Sequence, residues 1–80
     1  MRYPIFSIRD VKTGFMSPTI DQNAPAAMRN FEHAVLNSAS LMNSHPKDYQ
    51  LYKIGEFDTD TGALIPCEMV EHICDATDVL

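Results

Sequence analysis

No run of about 18 apolar residues occurs in this 80-residue chain, so no segment reads as a membrane-spanning helix. The N-terminus also lacks a long apolar core and does not read as a secretory signal. A reducing, intracellular setting is therefore expected. Cysteine is scarce, with Cys67 and Cys74 alone. On a common helix their α-carbons would stand about 10 Å apart, too far for a disulfide. With His72 between them they still lack the second ligand pair of a structural zinc site. Buried or half-buried thiols are expected, with no metal and no cofactor. Lys and Arg are absent from residues 56–80, which hold seven Asp and Glu for a charge of −7, whereas residues 1–55 hold six Lys and Arg against four Asp and Glu for +2. The whole chain, at −5, is repelled by a phosphate backbone, yet its first part can attract one. Charge alone favours a solvated acidic C-terminus that keeps the protein soluble.

Catalytic signatures are missing too. There is no Gly-rich phosphate loop, Walker motif or nucleophile elbow. His33, His45 and His72 stand apart, and no spacing supplies a nucleophile or carboxylate partner. His33 reads as a surface or half-buried residue at the edge of a helical stripe. An enzyme is not expected. Asp58-Thr59-Asp60-Thr61-Gly62 resembles the start of a calcium loop, but its Gly is fifth rather than sixth, and Met69 stands where the bidentate Glu belongs. A hairpin turn accounts for these residues.

The chain is organised around that turn. Tyr49, Leu51, Tyr52, Ile54 and Phe57 are β-favouring types within nine positions. Ala63-Leu64-Ile65 reads as the returning strand, ended by Pro66, which cannot donate to a ladder. Upstream, Tyr3–Arg9 alternates as a strand, residues 10–14 form a turn, and residues 15–20 form a poorer strand that Pro18 confines to an edge or bulge. Asn23 or Ala24 caps a helix from Pro25 to about Asn37, with Ala27, Met28, Phe31, Ala34 and Val35 forming one apolar stripe. The Ser/Asn-rich residues 38–45 end it, with Leu41 and Met42 plugging the core's edge or adding a turn. Met69, Val70 and Ile73 suggest a last short helix from Pro66 to about Ala76. The acidic end, residues 75–80, is expected to fray. Residues 1–80 thus read as one α+β domain: a small antiparallel sheet in ββαββ order, one main helix packed on it, and a short C-terminal helix. A core this small supplies only about 3–5 kcal/mol, so a homodimer is expected.

Tyr3, Phe6, Phe15, Tyr49, Tyr52 and Phe57 fall in the strands, with Arg2, Arg9, Lys12, Lys47 and Lys53 among or beside them. Aromatics that stack on bases and cations that track phosphates are the means by which single-stranded nucleic acid is bound. Most strand aromatics pack inward. In the 49–54 strand, however, Tyr49 and Tyr52 lie on opposite faces, so one aromatic is left for solvent, a partner or a ligand.

These residues resemble a known family. Tyr3-Pro4-Ile5-Phe6-Ser7-Ile8-Arg9-Asp10 is similar to the Y-x-I-F-S-V-x-D opening of the small nonstructural protein of microviruses, gokushovirus type, which are tailless phages with circular single-stranded DNA. Residues 45–58 resemble that family's H-P-E-D-F-x-L-Y-x-L-G-E-F-D segment, and Thr61-Gly62 matches the turn that follows. Residues 66–80 match least. The resemblance implies a nonstructural or DNA-binding phage protein, tied to genome replication or packaging and located in the host bacterial cytoplasm. It transfers no catalytic residue. Two functions compete. The first is single-stranded DNA binding through Arg2, Tyr3, Arg9, Lys12, Lys47, Tyr49, Tyr52 and Lys53. The second is a protein–protein module without DNA contact, such as an assembly factor or a partner of a phage or host replication protein, which the net charge favours.

Overall fold

The computed structural model describes residues 1–80. Five strands form one antiparallel sheet: β1 (Arg2–Asp10), β2 (Gly14–Phe15), β3 (Thr19–Ile20), β4 (Tyr49–Asp58) and β5 (Leu64–Asp75). Their order is β2-β1-β4-β5, with β3 also paired to β1, and the sheet curls as a half-barrel. Between β3 and β4 run helix α1 (Ala24–Leu36), the single turn α2 (Leu41–Ser44) and a 3-10 turn, Pro46–Asp48. The α+β class, the antiparallel sheet and the one main helix are as the sequence implies.

Helix α1 begins where Asn23 Oδ1 accepts the N–H of Ala26 at 2.9 Å, with Pro25 in the first turn. Its residues Ala27, Phe31 and Val35, four apart, are buried against the sheet, where they meet Phe6, Leu51, Tyr49, Cys74 and Ala76. Asn43 of α2 donates to the carbonyl of Val35 at 3.0 Å, so one of the helix's orphan carbonyls is satisfied.

The β4–β5 hairpin turns where expected. Gly62 takes φ +75°, and its N–H donates to the Asp58 carbonyl at 2.8 Å. The N–H of Asp60, 2.8 Å from Asp58 Oδ1, holds the Asp58 carboxyl below the usual carboxylate range.

The returning strand differs from the sequence reading. It does not end at Pro66 but continues for 12 residues to Asp75. The helix expected over 66–76 is strand, and the C-terminal helix is reduced to one 3-10 turn, Ala76–Asp78. Pro66 is tolerated because β5 is the outermost strand and has a free edge. The apparent helical stripe of Met69, Val70 and Ile73 comes from two bulges. Lys53 pairs with Glu71 and Gly55 with Pro66, so residues 67–70 lie opposite Ile54 alone, and Ile73 is the extra residue between the Tyr52–His72 and Leu51–Cys74 pairs. The end, expected to fray, is folded against the core in the structure. Asp75 and Asp78 cap each other's backbone, Ala76 is fully buried and Val79 packs on the core.

Candidate nucleic-acid interface

Residues directly opposite on neighbouring strands share a face. Phe6, Ile8, Leu51 and Tyr49 turn toward α1, since Phe6 pairs with Lys53, Ile8 with Leu51 and Asp10 with Tyr49. The intervening residues turn to the other side, which no helix covers. That open face carries Tyr3, Ile5, Ser7 and Arg9 from β1, Phe15 and Ile20 from the short strands, Gln50, Tyr52 and Phe57 from β4, and Leu64, Pro66, His72 and Asp75 from β5.

Three rings line up across it. Phe15 and Tyr52 meet edge-to-face with centroids 5.5 Å apart, and Tyr52 meets His72 in the same manner, also at 5.5 Å. Phe15 belongs to β2 and Tyr52 to β4, so the first contact passes over β1. It can do so because the β1 residue there is Ser7, paired with Tyr52. Ser7 is small, and its hydroxyl turns aside to donate to the Met16 carbonyl at 2.7 Å. At the far end of the row, His72 Nε2 lies 2.8 Å from Asp75 Oδ1. The next row along the strands is Arg9, Gln50 and Asp75. Arg9 also pairs with Phe15 and forms no ion pair within the chain, unlike Arg2 and Lys53.

The structure therefore divides the residues singled out from the sequence. Tyr3, Arg9 and Tyr52 share the open face, Arg9 in the row next to Tyr52 and Tyr3 near the opposite end of β1. Lys12, in the β1–β2 turn, and Lys47, in the 3-10 turn, are exposed at one end of the sheet, where the N–H of Val11 donates to the Asp48 carbonyl at 2.9 Å. A shallow cleft lined by Asp10, Lys12, His45, Asp48 and Tyr49 opens there. Arg2 and Lys53 point to the helix side, both within reach of the Glu56 carboxylate at 3.5 and 3.6 Å. Tyr49 is a core residue, 7% exposed. Its ring cannot stack on a base in the folded protein, and burial, reinforced by the Asp10 carboxylate, pushes its hydroxyl pKa up. Sequence reasoning missed Phe15 and His72 as members of the row. The signal for Phe15 was its place in a second strand. His72 had none, because residues 66–76 read as helix.

The two thiols are free, Cys67 partly exposed and Cys74 buried. No three His, Cys, Asp or Glu side chains gather as metal ligands, and no helix is long and apolar enough to cross a membrane. Neither the curated proteins nor the solved structures include a match to the chain. A family model described as Phage ORF5 protein matches residues 3–79, and by that match the chain belongs to this family of phage proteins.

Proposed function

We propose that this is a nonstructural phage protein of the microvirus type that binds single-stranded DNA during genome replication or packaging, in the cytoplasm of the host bacterium. The observation that carries the reading is the row Phe15–Tyr52–His72 beside the unpaired Arg9 on an uncovered sheet face. Each ring offers a sequence-tolerant stacking surface, and a cation next to a stacking platform meets the phosphate of the same nucleotide. Lys12 and Lys47 add cations at the end of the sheet, beside the carboxylates of Asp10 and Asp48, while Arg2 and Lys53 share the Glu56 carboxylate and contribute less. The membership in a phage family supports the phage origin, and the resemblance of residues 3–10 and 45–58 to the microvirus protein supports the rest of the assignment.

Titration of a labelled single-stranded oligonucleotide at several salt concentrations tests it. Phe15→Ala and Tyr52→Ala should each weaken binding by about 1–3 kcal/mol. Arg9→Ala should weaken it for all sequences alike and reduce the salt slope by about one. Absence of affinity at low salt would select the alternative, a protein–protein module without DNA contact, which the charge of −5 favours.

A further inference from the structure

No helix covers the open face, although Ile5 (8% exposed) and Ser7 (2%) are buried within it, and its charge pattern points to what covers the rest when no DNA is bound. Among the residues that cross-strand pairing places on this side, Arg9 and Asp75 are the only charged ones. Those paired positions are therefore neutral overall in a molecule of net charge −5, although Glu68, in the unpaired stretch of β5, alternates onto the same side. Moreover, Arg9 and Asp75 occupy one cross-strand row, on either side of Gln50. A twofold axis along β4 leaves each residue's height along the strands unchanged and exchanges the flanking strands β1 and β5. It sets Arg9 of each copy against Asp75 of the other. The same operation places Leu64, 68% exposed, over Tyr3 of the second copy, and Pro66 over Ile5.

We infer that a second copy of this chain covers the open face, related by a twofold axis along β4 and pinned by two reciprocal Arg9–Asp75 pairs. Asp75 is already held for this role by His72 and by the backbone of the Ala76–Asp78 turn. Edge-to-edge assembly through β5 is disfavoured: the strand carries Glu68 and Glu71 and is broken by Pro66 and two bulges, features that block strand pairing. The area suits a modest dimer. Three strands about 4.8 Å apart and about 35 Å long present roughly 500 Å² per copy. The total of roughly 1,000 Å² is the lower bound of a specific interface. Stacking row and dimer contact are then the same surface, so DNA and the second copy compete for it. That competition, but not the dimer, rests on the DNA-binding reading.

Sedimentation of the full chain without DNA, from about 10 to 200 µM, is the test. Wild type should pass from 9.0 kDa to twice that mass as concentration rises. Leu64→Glu, at an exposed position that leaves the fold unchanged by circular dichroism, should raise the dimer dissociation constant at least about tenfold. Arg9→Glu should also raise it, and Arg9→Glu with Asp75→Arg should recover part of the loss. A monomer at every concentration overturns the inference, as does a dimer indifferent to both Leu64→Glu and Arg9→Glu. Adding oligothymidine to the dimer should yield monomer–DNA complexes. A DNA complex that keeps the dimer intact overturns the competition, and no DNA binding at all removes the DNA-binding reading while leaving the dimer.

Discussion

Gly55 lies where β4 meets both of its neighbours next to a bulge, and it is buried. A Cβ built there would stand 2.5 Å from the Ile65 carbonyl oxygen. That atom is main chain held in a ladder, so it cannot swing away as a side-chain tip would. Gly55→Ala should therefore cost about 1–3 kcal/mol through forced backbone shift, measured as a lower urea midpoint with little change in slope. Cys74 makes a second residue-scale case. Burial, and after it the carboxylates of Asp78, Glu32 and Asp75, push its thiol pKa up from 9.0 to about 11. The folded state thus holds the proton more tightly than the unfolded state. Stability from this group is complete below pH 9 and is lost as pH rises toward 11. An unfolding series from pH 7 to 11 should show that alkaline decline, and it should be reduced in Cys74→Ala relative to that variant's own value at pH 7. In the folded protein at neutral pH, Cys67 should react with iodoacetamide well before Cys74.

Among the elements, α1 and the β4–β5 turn were legible because their signals are local. Asn23 and Pro25 mark a start, a stripe at spacings of three and four marks a buried side, and Asp58–Gly62 has the chemistry of a tight turn. Phe31→Ala should cost about 3–5 kcal/mol, since the ring is 2% exposed at the centre of the core. A urea titration showing an unchanged midpoint would contradict the packing of α1 on the sheet. The far half of β5 was not legible. A strand is recognised by alternation, and alternation requires an unbroken phase. The four surplus residues at 67–70 have no facing partners of their own, and the single surplus residue at 73 shifts that phase. What remained visible was an accidental three-and-four spacing, and it followed a proline. The same error removed His72 from the strand face and left Tyr52 with one fewer ring beside it. It also misjudged the C-terminus, whose acidic composition hides one fully buried alanine, Ala76.

For the whole molecule, the division of charge along the sequence is partly undone in space, because the N-terminus, Arg2 and Lys53 pair with Asp60 and Glu56 of the acidic part. The pairing of Arg2 and Lys53 with Glu56 leaves Arg9, Lys12, Arg29 and Lys47 as the cations outside the chain's salt bridges. On the DNA-binding reading, neutralising the exposed acids of the outer strand with Glu68→Gln and Glu71→Gln should tighten oligonucleotide binding severalfold at low salt, and the gain should vanish as salt is raised. A deletion of residues 75–80 is the wrong instrument for that question, because it removes Ala76 and Val79 from the core along with the charges. The surplus stretch opposite Ile54 also bears on how this protein tolerates changes in length. The ladders on either side of it, Gly55–Pro66 below and Lys53–Glu71 above, are registered independently of how many residues lie between them on β5. With Met69 at 85% exposure, that stretch is a slack segment in an otherwise taut sheet. One residue inserted between Glu68 and Met69 should leave the melting temperature within a few degrees of wild type, whereas one inserted between Tyr52 and Lys53 should abolish folding, because every pair beyond it would change face. Relatives of this chain can accordingly differ in length at this position while sharing every strand pair around it, and a short epitope or reporter peptide can be carried there without disturbing the core.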